Sequence, residues 1–154
     1  MTSRIEKRDR LGLKLAGSMS LESKCIRRQV GACLMARDGS VIQLTYNGTA
    51  PGLDECEVAC PRAKLTQEQA PGLTTSYESE ETRCSALHAE WNLAMRANWD
   101  EMKGSTLYIT CEPCYICSLL LQGSPIERVV WPEGSLMWRK EWSETVSLTR
   151  RVQS

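Results

Sequence analysis

Residues 105–122 read STLYITCEPCYICSLLLQ. The first six are rich in β-branched and aromatic residues and predict a strand. CYICSLLLQ then predicts a helix, so the chain passes from strand to helix at Pro113-Cys114. Cys114 and Cys117 are three apart at that junction and can both face one metal ion. A helix N-terminus and a cation both favour the deprotonated sulfur. Alone, the C-x-x-C pair leaves three readings open: zinc ligands, a redox pair, or two buried thiols. A thioredoxin-like pair follows the first strand of its fold, whereas this one comes late in the chain.

Working outward, residues 87–94, LHAEWNLA, hold the only histidine. A lone His on an apolar helical pattern is ordinarily a satisfied core or surface residue. Beside Cys114 and Cys117 it becomes a third ligand. Three protein ligands are the number that leaves a zinc ion a fourth position for water. Glu90 lies two residues after His88. On a helix, positions i and i+2 do not share a face, which removes Glu90 from the ligand set and leaves it to move a proton. H-x-E followed by P-C-x-x-C resembles the signature of zinc nucleobase deaminases.

The rest of the chain supplies the frame. Residues 5–22 predict a helix with Ile5, Leu11, Leu15 and Met19 as its apolar stripe. QVGACLMARDGSVIQLTYNG predicts a β-hairpin turning at Asp38-Gly39. Residues 47–82 are loop-like, and a loop of that length in a compact domain must be functional or tied down. Residues 84–98 predict a helix, IERVVW a strand, and the last twenty residues, with Trp138 and Trp142, a final helix. The order α-β-β-loop-α-β-α-β-α points to a three-layer α/β sandwich in one domain spanning 1–154.

The chain has 19 basic and 19 acidic residues, a balance that disfavours coating of long nucleic acid. MTSRIEKRDR shows no apolar run of signal-peptide type, and no stretch approaches a membrane span. A cytoplasmic protein is expected. For such a chain eight cysteines point to metal binding or catalysis rather than to disulfides. Cys33 and Cys111 lie in strand patterns and read as buried thiols.

With His-Ala-Glu at 88–90 and Pro-Cys-Tyr-Ile-Cys at 113–117, the chain resembles the cytidine and deoxycytidylate deaminase superfamily. Ser23-Lys24, Val30-Gly31-Ala32 and Tyr46-Asn47-Gly48 resemble the N-terminal half of deoxycytidylate (dCMP) deaminases. CIRRQVGA matches the C-x-R-R-x-V-G-A of bacterial and phage relatives, where animal-type relatives carry Asn in place of Arg27. The resemblance runs from about residue 10 to residue 131. Glu112, ahead of the Pro-Cys pair, is more like guanine and tRNA adenosine deaminases and keeps a purine substrate as an alternative.

The resemblance implies a cytidine-deaminase-type α/β/α sandwich on a mixed sheet of about five strands. It also implies hydrolysis of dCMP, or a 5-substituted dCMP, to dUMP and ammonia, which supplies the thymidylate precursor. His88, Cys114 and Cys117 would hold zinc, which makes hydroxide available near neutral pH to attack C4. Glu90 would protonate N3 and then carry a proton to the leaving ammonia. Backbone N–H groups near Ala89 and Cys114 would position the base. Arg27 or its neighbour Arg28 would grip the phosphate, and Asn47 would face the substrate. Control by dCTP and dTTP, a homo-oligomer of hexameric type, and the cytoplasm (the host's, if the chain is viral) are likewise implied. So is a closed structural zinc site of Cys25, Cys56, Cys60 and Cys84, which would order the long loop. The alternative is four scattered thiols. Two other functions compete: a non-catalytic zinc module, in which Glu90 would have no role, and a nucleic-acid editing deaminase, which zero net charge disfavours.

Overall fold

The computed structural model describes residues 1–61 and 84–138. In chain order the elements are α1 (Arg4–Ser20), β1 (Gly31–Met35), β2 (Val41–Tyr46), α2 (Cys56–Ala59), α3 (Ala89–Arg96), β3 (Thr106–Ile109), α4 (Tyr115–Gly123), β4 (Arg128–Trp131) and β5 (Gly134–Met137). The strands form one mixed sheet in the order β2-β1-β3-β4-β5, in which only β3 and β4 run parallel. A parallel pair needs a crossover, and α4 provides it.

β1 is buried along its whole length, so it is apolar on both faces. Ala32 and Leu34 point with Leu107, Ile109 and Val129 toward Leu93 of α3 and Leu121 of α4. Cys33 and Met35 point with Tyr108 and Val130 toward Ala16 of α1. The period-2 alternation of three strands thus divides one sheet between two helical layers. The Asp38-Gly39 turn forms as expected. Gly39 sits at φ +92°, which disfavours a β-carbon, and the Asp38 carboxylate accepts from the backbone and hydroxyl of Ser40.

Three expectations need correction. Ile5 and Leu11 are exposed, and α1 instead turns Gly12 and Ala16 inward. The Tyr108 ring lies over Gly12, where a β-carbon would come within 2.3 Å of it, and Gly31 passes under the Ala16 carbonyl. The helix packs by close approach, which selects small residues at the contact, flanked by the half-buried Leu13 and by Leu15 of the expected stripe. The helix predicted over 84–98 begins only at Ala89, with His88 as its N-cap. Gly134–Met137, whose last three residues fall within the expected final helix, is an exposed edge strand paired with β4. Trp138 packs against the core, while Trp142 and the remainder of the predicted helix lie outside the described residues. Most of the loop lies outside them too. At its start Cys56–Ala59 form a single helical turn, and its ends are joined by a Gly48–Leu87 bridge.

Asp9 pins α1 to the sheet. Its carboxylate accepts two hydrogen bonds from Arg128 of β4, at 2.7 and 2.6 Å, and one from the Tyr108 hydroxyl at 2.9 Å. Burial acts to raise its pKa, but these hydrogen bonds and the Arg128 charge together hold it below 3.8. A depressed carboxyl contributes stability above its unfolded pKa and loses it as pH falls through the folded value. The two side chains are each 20% exposed, so solvent screens part of the interaction. Asp9→Asn is expected to cost about 1–2 kcal/mol at neutral pH in urea unfolding. The gap should narrow below about pH 4, where the parent carboxyl also takes up its proton. An undiminished gap at pH 2.5 would contradict this account.

Candidate active site

Two helix N-termini meet at the carboxyl end of β3. Cys114 is the N-cap of α4, and its sulfur accepts from the Cys117 N–H at 3.5 Å. His88 is the N-cap of α3 and makes no capping hydrogen bond. Its ring reaches across instead. Nδ1 lies 3.7 Å from Cys114 Sγ and 3.3 Å from Cys117 Sγ. All three donor atoms fall within 4.8 Å of one another, and among the described residues no other group converges to that spacing. Burial first, and then Glu90 and Cys114, push the Cys117 thiol far above its ordinary range. A divalent cation between the donors reverses that penalty, and two sulfurs with one imidazole nitrogen suit zinc. Cys117 is buried while Cys114 is exposed, so the group is closed below and open above.

Above it lies a cleft of about 240 Å³. Glu90, at the second position of α3, forms part of its wall and is only 3% exposed. Burial is the chief cause that raises its carboxyl above the ordinary value; His88, Cys117 and Arg28 oppose the rise. A raised carboxyl is shifted in the direction that a proton-carrying group requires. Arg27 and Arg28 are exposed on another wall, and Glu112 is exposed on a third. Ala89 is fully buried, at the first turn where helical N–H groups lack intrahelical partners. Asn47 lines the cleft, but its side chain is largely committed. Oδ1 accepts from the Ser23 hydroxyl and Val30 N–H, and Nδ2 donates to the Arg28 carbonyl. Cys111, just beyond β3, also lines the cleft rather than lying in a strand.

The four remaining cysteines are neighbours. Burial first raises the Cys56 thiol, and the charges of Cys25, Cys84 and Cys60 raise it further. Cys25 Sγ accepts from the Arg28 N–H at 3.4 Å. These four thiols are not drawn to the spacing of the His88 group.

Two residues that the sequence did not single out hold α3 in place. Thr45 donates its hydroxyl to the Ala89 carbonyl at 2.8 Å, and Asn92 donates its amide to the Tyr46 carbonyl at 2.9 Å. Both are buried. A signal existed at Asn92, a polar residue on the inward side of an apolar helix. Thr45 gave none, since threonine is common in strands.

Three converging donors, open on one side, thus stand beside a buried carboxyl, an arrangement that could hold a metal ion. A family model described as the cytidine and deoxycytidylate deaminase zinc-binding region matches residues 6–133. The chain is 40% identical over 127 residues to the deoxycytidylate deaminase of Mycobacterium phage D29, covering 82% of this chain and 95% of that one. It is 33% identical over 127 residues to that of Saccharomyces cerevisiae, covering 81% of this chain but only 37% of the yeast protein. A dCMP deaminase from cyanophage S-TIM5, solved with dCMP and dUMP, shares the fold at a TM-score of 0.58 and 24% identity, covering 85% of this chain and 82% of that one. The chain belongs to the cytidine and deoxycytidylate deaminase family, of the phage dCMP deaminase type.

Asn92→Ala removes the donor from the half-buried hydrogen bond to the Tyr46 carbonyl and frees the first turn of α3. We expect a loss of about 1–2 kcal/mol in urea unfolding. Zinc should also dissociate several-fold faster, as read by a colorimetric chelator. Parental values in both assays would show that the clamp does not set the position of His88.

Proposed function

We propose that this chain hydrolyses dCMP to dUMP and ammonia. The observation that carries the reading is the meeting of His88, Cys114 and Cys117 beside the buried carboxyl of Glu90, in a chain of this family. The names of the phage and yeast relatives and the nucleotides bound by the cyanophage enzyme support dCMP as the substrate. His88, Cys114 and Cys117 would hold the ion. Zinc bound there supplies Lewis acidity, which lets water act as a nucleophile near neutral pH.

Glu90 takes one proton from the attacking water and delivers it to N3 of the ring, then takes the second from the hydroxyl now on C4 and passes it to the departing amine as the C4–N bond breaks. One water is consumed and one ammonia released, so Glu90 ends as it began. Its burial keeps bulk water from competing for the transferred proton. The free N–H groups at the starts of α3 and α4, at Ala89 and Cys114, orient the base. Arg27 takes the 5′-phosphate, supported by its exposed position on the cleft wall. Asn47 contributes chiefly by bracing that wall through Arg28 and Val30.

The test is ammonia release from dCMP, 5-methyl-dCMP, CMP, cytidine and dGMP. Preference for the nucleoside cytidine or for the purine would sink the reading. Glu90→Gln is expected to lower kcat on dCMP by roughly 10²–10⁴-fold while zinc content is retained. Loss of zinc together with activity would make Glu90 structural.

We further propose a second, structural zinc held by Cys25, Cys56, Cys60 and Cys84, supported by the shared lining of one cleft by Cys25, Cys60 and Cys84 and by the bearing of these three on the Cys56 thiol. Two zinc ions per chain are then expected by elemental analysis. Cys60→Ser should lower the melting temperature and bring the count to one. A parent count of one, with Cys60→Ser as stable as the parent, would remove the second site. The reading also includes dCTP and dTTP as effectors, self-association and a cytoplasmic setting. Self-association is supported by the exposed Tyr115, Ile116 and Leu119 of α4 and Met95 of α3. Among the described residues no helix is long and apolar enough to cross a membrane.

A further inference from the structure

The His88 ring is gripped from one side only. Its polar contacts among the described residues are both made through Nδ1, toward the two sulfurs. A metal-ligating histidine is ordinarily oriented by its other nitrogen, which donates to a carboxylate or carbonyl and so fixes ring angle and tautomer. Here a different neighbour occupies the ring. The Trp91 indole lies against it with centroids 5.4 Å apart and planes inclined by 23°, an offset stack.

The helix start produces this contact. His88 is the N-cap of α3 and Trp91 its third residue, and side chains three apart meet at a helix start. In a capping box those two positions exchange hydrogen bonds. In α3 the N-cap side chain makes no such bond, because its ring is turned to the sulfurs, and the third residue supplies an aromatic face instead.

A second observation separates the ring from its polar atom. Among the described residues the Trp91 Nε1 is the one buried side-chain polar atom without a partner. An orphaned buried N–H is a cost, so a hydrogen bond is not what the indole contributes. Its face is what contacts the site.

We propose that Trp91 is a positioning residue for the metal centre: its stack sets the His88 imidazole with Nδ1 toward Cys114 and Cys117, in place of the usual hydrogen-bonded orienter. An imidazole that donates a lone pair to a dication is electron-poor, and the electron-rich indole face attracts it more strongly than the free ring. The stack therefore favours the metal-loaded state over the empty one. The inference rests on the zinc reading of the site and not on the identity of the substrate.

Three proteins decide it: the parent, Trp91→Phe and Trp91→Leu. The readouts are zinc affinity by chelator competition, the sulfur-to-metal absorption of the cobalt-loaded forms, and the melting temperature of the metal-free forms. Trp91→Leu keeps an apolar side chain but cannot stack, and is expected to bind zinc at least about tenfold more weakly, with altered cobalt absorption. Trp91→Phe keeps an aromatic face and discards the orphaned N–H. It should restore most of the affinity, with a metal-free melting temperature at or above that of the parent. Parental zinc affinity in Trp91→Leu would overturn the proposal, as would a Trp91→Phe as weak as Trp91→Leu. If Trp91→Leu does not fold, Trp91→Met replaces it as the non-stacking variant of similar bulk, judged by the same criteria. A parent that binds no zinc would fail the site reading itself, an outcome distinct from parent and Leu variant binding equally.

Discussion

Everything at the cleft depends on two helices beginning at one place. His88 comes from the start of α3 and the two cysteines from the start of α4, and neither helix alone can assemble three donors. α4 is placed by β3, which ends at Ile109 in the middle of the sheet and hands the chain into the crossover. α3 has no strand running directly into it. It is placed by hydrogen bonds to the end of β2, through Thr45 and Asn92, and by the Gly48–Leu87 bridge just ahead of it. The hairpin therefore positions the histidine, and the parallel pair positions the cysteines.

The two faces of the sheet divide the work. One carries α3, α4 and the site. The other carries α1, locked down by the charged cluster of Asp9, Arg128 and Tyr108. β1 and β3 supply side chains to both layers, so a cavity opened under α1 would be felt by the strands that set the ligand helices. Gly12 and Gly31 are small for this reason: they let α1 lie close to strands that cannot move aside.

The site was legible in the sequence because metal chemistry restricts residue type and spacing together. C-x-x-C at a strand-to-helix junction with the single His-x-Glu upstream leaves few alternatives, and these residues do converge. The hairpin and the strands β1 to β4 were legible from their apolar, β-branched and aromatic runs and from Asp38-Gly39. Features without a periodic signal were not. β5 exposes three of its four residues, so no buried face marks it as a strand. The deepest positions of α1 are glycine and alanine, which hydropathy does not register, while Leu15 of the expected stripe does pack against the core. The late start of α3 reflects a tertiary demand, since His88 must leave the helix to reach the sulfurs. Asn47 read as a substrate contact from its motif, yet most of its amide is spent on the protein's own backbone and on Ser23.

The sulfur of Cys114 and the ring of His88 meet across 26 residues of chain. An ion that bonds both is a reversible crosslink as well as a reagent. Because the three donors come together only in the folded chain, an ion bound there would stabilise the fold by mass action, about 2.7 kcal/mol at a free concentration a hundredfold above its dissociation constant, a sizeable share of a small domain's stability. Metal supply and protein lifetime are then one variable. On the zinc reading, a chain starved of the ion would be more open to proteases as well as catalytically silent, so scarcity of zinc would reduce the amount of the protein as well as its activity.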